Sequence, residues 1–197
     1  MRNLVLVLML VAALALLGCG GAKDTGTPSS SLPQVREHQA DAPANIEIEA
    51  ESSEAIEAPM KVVDDKEASG GKCLTVPGDS GKPGAEIPGE PGKKYPDRWG
   101  AATYKFNCAE PAPYRFWGRK LWANGCGNSI IIRVNGGAPI EFGQDGVYDK
   151  WDWKACTVFF DLKSGENTLE VLNREPGVSL DKVIFTKDLD FIPQGTE

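Results

Sequence analysis

The sequence of 197 residues has 21 Lys and Arg against 28 Asp and Glu, five Cys and one His, and a formal net charge of −7. At roughly 100 to 200 residues per domain, this length fits one domain with a sizeable core. The acidic balance argues against nucleic acid or anionic lipid as the main partner, because both require clustered positive charge. With His38 as the single histidine, most general-base catalysts are missing, so the composition argues against catalysis.

The N-terminus predicts a bacterial lipoprotein signal. A positively charged start precedes an apolar run over residues 4–17, which is too short for a permanent membrane span. Leu16-Leu17-Gly18-Cys19 resembles a lipoprotein box, in which the peptidase cuts before a Cys whose sulfur carries lipid. We therefore expect residues 1–18 to be removed and Cys19 to anchor the exported chain to a membrane through lipid alone. Gly20 would favour the outer membrane of a Gram-negative cell, with the domain in the periplasm or at the cell surface.

Residues 19–45 are predicted to form a flexible linker behind the lipid. They are rich in Gly, Ser, Thr, Pro, Ala and charge and show no apolar periodicity, so burial cannot offset the entropy of ordering them. His38 lies inside this linker. An isolated linker residue lacks the supporting contacts of a site, so no role is expected for it.

From residue 46 onward, short stretches of alternating apolar and polar residues are separated by Gly, Pro, Asn and Asp. This pattern is typical of strands in an antiparallel sandwich, and helical periodicity is nearly absent. We predict an all-β fold, a β-sandwich jelly roll of about ten short antiparallel strands. The predicted strands are residues 46–51, 60–64, 72–76, 101–107, 114–123, 129–135, 138–142, 157–162, 167–173 and 179–186. Residues 77–96 carry many Gly and Pro and are predicted to be a long surface loop.

Four cysteines remain after Cys19. An even number in an oxidising compartment predicts two disulfides, for which three pairings are possible. Cys126 and Cys156 lie next to loops, whereas Cys73 and Cys108 lie at strand positions, so we expect Cys126 to pair with Cys156 and Cys73 with Cys108. A four-Cys zinc site would need closely spaced pairs, and the sequence has none.

Aromatic residues are the first candidate ligand contacts. Trp117 and Trp122 lie five apart in one predicted strand, on opposite faces, so at least one should be in the core. Trp151 and Trp153 flank Asp152, and the two-residue period places both indoles on one side. The apolar faces of sugars stack on aromatic rings while their hydroxyls bind carboxylates, so this segment suits carbohydrate; burial of both indoles at the end of the sandwich is the alternative.

Carboxylates form a second group in the first predicted strand. Glu47, Glu49 and Glu51 alternate with apolar residues and therefore share one face. Like charges in a row repel each other unless they are solvated or neutralised. The face is either solvated or bound to a hard cation such as Ca2+, which accepts carboxylate oxygens.

Several segments in chain order resemble the non-catalytic carbohydrate-binding modules of families 6 and 35. They are residues 48–51, 68–72, 114–119, the Trp151-x-Trp153 pair, and residues 162–169 and 173–185. The resemblance covers about residues 46–193, nearly all of the chain that is expected to fold. It implies a β-jelly roll with a structural Ca2+ held by Glu49, Glu51 and Asp181, with Asp188 in reserve.

The resemblance also implies a sugar site in loops at one end of the sandwich. The family places an aromatic near Trp151 and Trp153 and polar groups in the last loop, here Arg174, Glu175 and Ser179. Many members also carry an aromatic after Gly70-Gly71, where this chain has Cys73 and Leu74; Tyr95 or Trp99 would replace it, or the site is degenerate. The candidate ligand-binding residues are Trp99, Tyr148, Trp151, Asp152, Trp153, Arg174 and Ser179.

Three functions remain open at this point. The first is a lipid-anchored, non-catalytic protein that binds an oligo- or polysaccharide through Trp151 or Trp153, with hydrogen bonds from Asp149, Asp152 or Arg174. The second is a structural lipoprotein that uses the same sandwich to hold a partner enzyme or protein complex. The third is a glycosidase, for which two carboxylates suffice in principle. This third function is the weakest, since the carboxylates lie on a metal-like strand or in acidic loops.

Overall fold

The structure is a computed structural model, which describes residues 45–196. In this range eleven strands and two short 3-10 turns alternate with loops. The strands are β1 (Ile46–Glu49), β2 (Ala55–Glu57), β3 (Lys61–Asp64), β4 (Lys72–Val76), β5 (Ala101–Cys108), β6 (Ala112–Trp122), β7 (Ser129–Val134), β8 (Ile140–Gly143), β9 (Asp152–Leu162), β10 (Gly165–Asn173) and β11 (Val178–Thr186). The 3-10 turns are Ala50–Ser52 and Ser69–Gly71.

The strands form two sheets, each paired antiparallel throughout. The large sheet has the order β3-β4-β11-β6-β9, and β1 pairs with the second half of β11 beside β4. The small sheet has the order β2-β5-β10-β7-β8. The predicted all-β sandwich of jelly-roll type is therefore confirmed.

Apolar side chains from both sheets fill the space between them. In β5, buried Ala102, Tyr104 and Phe106 alternate with more exposed residues, and β10 and β7 show the same two-residue period. Trp122 is fully buried, whereas Trp117 is half-buried and lies outside the core cluster. The expectation that at least one of these two indoles is in the core is confirmed.

All ten predicted strands are present, but the first ends at Glu49 rather than at residue 51, because the chain turns at Ala50–Ser52 and carries Glu51 out of the strand. Two further differences have physical causes. β2 was not predicted, because its three residues are all exposed and give no alternation. β9 begins at Asp152 rather than at residue 157, because it continues to pair with the long strand β6 as far as Lys120. Trp153 therefore lies in a strand rather than in a loop.

The predicted long loop between β4 and β5 is present, and backbone hydrogen bonds within it hold its shape. Backbone hydrogen bonds join Ile87 to Lys93 and Tyr95 to Ala85 at 2.9 Å each. Gly81 has φ +78°, and a Cβ there would lie 2.2 Å from the Tyr95 ring. The loop thus packs against its own aromatic side chain and has a defined shape.

The predicted disulfides are not formed, since all four cysteines of the described part are free. Cys73 lies in β4 of the large sheet, whereas Cys108 ends β5 of the small sheet and its Sγ contacts the Glu110 carbonyl at 3.0 Å. Cys126 is exposed in the β6–β7 turn, whereas Cys156 is buried in β9. The prediction was wrong because it paired cysteines by whether they lie in strands or next to loops. Which cysteines meet depends instead on which parts of the strands and turns are neighbours in the fold. Burial raises the pKa of the Cys73 thiol to about 11, so it is protonated at neutral pH.

The predicted signal peptide, Cys19 and linker lie outside the described residues, apart from Asn45. Among residues 45–196, no helix is long and apolar enough to cross a membrane.

Candidate functional site

A cavity of about 670 Å³ opens on the small sheet, next to the β4–β5 loop. Its apolar wall is formed by Trp99, Ile131 and Leu172. Ile131 and Leu172 are half-buried and alternate with fully buried core residues of β7 and β10, so they lie on the face turned away from the core. We call this the Trp99 cavity.

Trp99 is held in one orientation. Its indole N–H donates to the Ser80 carbonyl at 2.8 Å, and the Tyr95 ring lies behind it with a centroid separation of 5.2 Å. The following Gly100 has φ +93°, and a Cβ there would come within 2.9 Å of Pro59. The chain therefore needs glycine to turn here, and the indole is a fixed flat surface in the cavity wall.

Arg98 and Arg133 place positive charge at the cavity, and each forms ion pairs with carboxylates. Arg98 binds Glu57 at 3.0 Å and Glu170 at 3.2 Å, and Arg133 binds the other oxygen of Glu170 at 2.6 Å. The hydrogen bond from Arg133, together with the charges of both guanidinium groups and a weaker bond from Arg98, holds the pKa of Glu170 below its usual value. Glu170 is therefore an ionised bridge between two arginines.

Arg174 closes the opposite side and is paired in the same way. It binds Glu141 at 3.1 Å, Glu175 at 2.8 Å and the Ser129 hydroxyl at 2.7 Å. Burial would raise the pKa of Glu175, but hydrogen bonds from Asn128 and Ser129 and the charge of Arg174 outweigh it and the pKa lies below its usual value. The cavity thus carries fixed donors beside fixed acceptors and no uncompensated guanidinium charge.

Asn173 supplies an unsatisfied polar group at the same place. The residue is 5% exposed and lines the cavity, and neither its Oδ1 nor its Nδ2 has a hydrogen-bond partner among residues 45–196. A buried polar atom without a partner costs roughly 1–3 kcal/mol. Both amide atoms are themselves buried, and Asn173 follows the core-facing alternation of β10, so the unpaired amide lies beneath the cavity surface.

The structure divides the predicted ligand-binding residues between two places. Trp99 and Arg174 line the Trp99 cavity, whereas Trp151, Asp152 and Trp153 line a cleft of about 310 Å³ on the large sheet. The cleft also includes Trp117 and Arg119, whose guanidinium carbon lies 5.2 Å from the centre of the Trp151 ring. We call this the tryptophan cleft.

Other predicted residues lie elsewhere. Tyr148 is 37% exposed and lines neither cavity. The Ser179 hydroxyl donates to Thr75 at 3.0 Å across the β11–β4 pair, which is a contact between strands. Three cavity residues were not predicted from the sequence, namely Ile131, Arg133 and Asn173. The two-residue period in β7 places Ile131 and Arg133 on one face, but it does not show that the loop carrying Trp99 lies beside them.

The three predicted metal ligands meet at the Ser69–Gly71 turn. Glu49 accepts a hydrogen bond from the Ser69 hydroxyl at 3.0 Å, and Asp181 accepts one from the Ser69 N–H at 2.8 Å. A Cβ on Gly70 would lie 2.7 Å from Glu51 Oε1, so glycine leaves room for that carboxylate. Asp188, the reserve ligand, instead accepts a hydrogen bond from the Asp190 N–H in the turn after β11.

The fit to a cation differs between these carboxylates. Asp181 is paired with Arg119 at 2.5 Å, and Lys182 lies 3.0 Å from Glu49. Residues 45–196 contain no group of three His, Cys, Asp or Glu side chains placed as a metal centre requires. However, Oε2 of Glu49 and Oε2 of Glu51 are buried without a partner in the described part of the chain. Two unpaired carboxylate oxygens fit a hard cation, so the glutamates suit Ca2+ better than Asp181 does.

No protein-family model and no curated protein matches the chain. Among solved structures, a family 35 carbohydrate-binding module from Clostridium thermocellum is similar, with TM-score 0.51 and 17% identity over 72% of this chain and 98% of the module. The GH26-CBM35 β-(1,4)-mannanase of Podospora anserina matches with TM-score 0.54 and 18% identity over 76% of this chain. An exo-β-1,3-galactanase of Phanerochaete chrysosporium matches with TM-score 0.51 and 18% identity over 72%. The chain spans 29% of each enzyme's length.

These similarities define the fold. The described part of the chain has the fold of a family 35 carbohydrate-binding module, and the predicted resemblance is confirmed at that level.

Proposed function

We propose that this protein is a non-catalytic carbohydrate-binding protein that holds a neutral glycan in the Trp99 cavity. The observation that carries the proposal is the fixed face of Trp99 beside arginine–carboxylate pairs. A sugar ring presents apolar C–H faces that stack on an indole, and its hydroxyls both donate and accept. Because each guanidinium of the cavity is paired with a carboxylate, hydroxyl groups suit it better than an anion does.

One further observation supports the proposal. The fold is that of a family 35 carbohydrate-binding module, and the two similar enzymes are named for action on a mannan and a galactan. Glycans of these kinds are therefore the first ligands to test.

The test is titration of the protein with soluble β-1,4-mannan, β-1,3-galactan and β-1,3-glucan, followed by intrinsic tryptophan fluorescence and calorimetry. We expect weak, reversible binding to at least one of them, without release of reducing sugar. Release of reducing ends by the pure protein would show an enzyme. An unchanged fluorescence across a broad glycan array would contradict the proposal, and co-purification of a protein would then favour the interaction alternative.

We further propose that the protein is exported and lipid-anchored through Cys19, in the outer membrane if the cell is Gram-negative. The support is the sequence Leu16-Leu17-Gly18-Cys19 behind the apolar run. The wild-type protein should partition into detergent, and Cys19→Ser should partition into the aqueous phase. Equal partitioning of both forms would contradict the anchor.

A structural Ca2+ at Glu49 and Glu51 is also proposed, next to Asp181. When bound, the ion would neutralise two carboxylate oxygens that are buried without partners among the described residues. A ligand that binds only the folded state at 100 times its Kd adds about 2.7 kcal/mol. We therefore expect a chelator to lower the Tm of wild type by about 5 °C or more.

The matched variants for this chelator test are glutamates four residues apart, Glu47 in β1 and Glu51 in the Ala50–Ser52 turn that follows it. Glu51→Ala should remove the sensitivity to the chelator, because one of the two free oxygens is lost. Glu47→Ala should retain it, because Glu47 is exposed and binds Lys182 at 3.3 Å. Equal chelator sensitivity of wild type and Glu51→Ala would argue against this site.

A further inference from the structure

The chain that follows β11 folds back over the outer face of the large sheet. Arg115 of β6 donates to the Leu189 carbonyl at 3.0 Å, and the indole N–H of Trp153 donates to the Gly195 carbonyl at 3.0 Å. Pro193 is buried, and Ile184 is fully buried although it lies outside the core cluster. We call residues 188–195 the C-terminal strap.

The strap forms one wall of the tryptophan cleft. Ile192, Pro193 and residues 194–195 face Trp117, Trp151 and Trp153 across the remaining space of about 310 Å³. The surface that the sequence predicted as a sugar platform is therefore partly covered by the strap, and Trp151 and Trp153 are half-buried beside the remaining space.

The strap leaves some hydrogen-bond donors of the cleft without partners. Its Gly195 carbonyl accepts from Trp153, but the indole N–H groups of Trp117 and Trp151 are buried and have no partner within residues 45–196. Each unpaired donor carries the desolvation cost of a buried polar group. An occupant with several hydroxyl oxygens would satisfy donors that the strap leaves unpaired.

The strap is also weakly attached. It pairs with no strand of either sheet, and only two hydrogen bonds from side chains of the large sheet to its backbone carbonyls are present within the described residues. Leu189 and Ile192 are 58% and 64% exposed, so the apolar burial of the strap comes mainly from half-buried Phe191 and from Pro193. Segments with few buried contacts open at low free-energy cost, well before the whole domain unfolds.

We propose that the C-terminal strap is an internal competitor that occupies part of the tryptophan cleft, and that a glycan binds there only when the strap is displaced. In the open state a sugar ring would stack on Trp153, or on the face of Trp151 away from Arg119, while its hydroxyls accept from the free indole N–H groups and bind Asp152. The ligand class rests on the proposed function, whereas the closure by the strap does not.

The expected change in glycan affinity depends on the fraction of molecules in which the strap is displaced. If the strap is open about one tenth of the time, the apparent affinity of the cleft is about tenfold weaker than its intrinsic affinity. Releasing the strap should therefore strengthen binding at the cleft by about tenfold or more.

The first experiment tests, without a ligand, whether the strap shields the tryptophans of the cleft. Pro193→Asp places a charge at the buried anchor, and Arg115→Ala removes one attachment from outside the cleft; Leu189→Ser is the matched control, because that side chain is exposed. Acrylamide quenching of tryptophan fluorescence should rise in both release variants and stay at the wild-type level in the control. Unchanged quenching in folded release variants would overturn the closure.

Glycan binding is then measured in a Trp99→Ala background, so that binding at the Trp99 cavity does not contribute to the signal. The probes are soluble β-1,4-mannan, β-1,3-galactan and β-1,3-glucan. We expect binding to increase about tenfold on strap release and to be lost when Trp153→Ala is added. No gain on release, or a gain that survives Trp153→Ala, would overturn the proposal. Failure of the proposed function would instead appear as absent binding in the chain that retains Trp99.

Discussion

Trp99→Ala is expected to abolish measurable glycan binding at the Trp99 cavity while the domain stays folded. Large aromatic residues at the centre of a binding site typically contribute 2 kcal/mol or more, which corresponds to about a thirtyfold loss of affinity. Trp99 fits this role because Ser80 and Tyr95 fix its orientation before a ligand arrives, so little entropy is lost on binding. The indole is outside the core cluster, so its removal leaves the sandwich intact.

Three controls separate the loss of stacking from other causes. Trp99→Phe keeps an aromatic face but loses the hydrogen bond to Ser80, so it should retain part of the affinity. Trp153→Ala removes an indole of the same size from the covered tryptophan cleft and should leave binding at the Trp99 cavity unchanged. Circular dichroism and Tm check the fold. Full binding by a folded Trp99→Ala protein would place the sugar elsewhere.

Asp145→Ala is expected to lower the free energy of unfolding by about 3 kcal/mol, because it leaves a buried lysine without its closest partner. Lys120 is fully buried in β6, and its Nζ lies 3.0 Å from Asp145 and 3.8 Å from Asp152. The Val147 carbonyl accepts a further hydrogen bond at 3.3 Å. These contacts hold the β8–β9 loop to the end of the large sheet. Asp152 and the carbonyl retain part of the compensation, so the expected loss lies at the low end for a broken buried pair.

The double variant tests whether the cost comes from the unpaired charge. Lys120→Met with Asp145→Ala removes both charges and keeps a long apolar side chain in the core, so it should recover most of the lost stability. Urea unfolding of wild type, both single variants and the double variant gives the coupling between the two residues. Additive losses in the double variant would contradict a coupled pair.

The same pair predicts a pH dependence. Burial alone would raise the pKa of Asp145, but hydrogen bonds from Lys120 and Val147 and the charge of Lys120 outweigh it and hold the pKa below its ordinary value of 3.8. A depressed folded-state pKa contributes stability that is present above the unfolded-state value and is lost as the pH falls through the folded-state value. Wild type should therefore lose this contribution at pH values below 3.8, whereas Asp145→Ala should not.

Strand positions were predictable because burial on one face imposes a two-residue period. β5, β7 and β10 carry this period in full and were predicted to within one or two residues at each end. β2 was not predictable in this way because all three of its residues are exposed. The early start of β9 depends on hydrogen bonds to β6, which are formed far away in sequence.

The candidate site was predictable in its residue types but not in its arrangement. Trp99 and Arg174 were identified as ligand contacts, and the structure places both in one cavity. Trp151 and Trp153 were assigned to the same site, but the structure places them on the other sheet under the C-terminal strap. A period of two shows that two indoles share a face, and it does not show what covers that face.

By itself, the sequence determined the class of fold, the segment that folds and the chemistry available to it, because alternation, composition and residue type are local properties of the chain. The tertiary structure decided which of those residues meet. It separated the aromatic residues into the Trp99 cavity and a cleft beside the C-terminal strap, left four cysteines unpaired, and placed Asp181 against Arg119. The reason is that sheet order and loop packing join residues up to a hundred or more positions apart, as in the contact between Ser69 and Asp181, and no local pattern encodes such a contact.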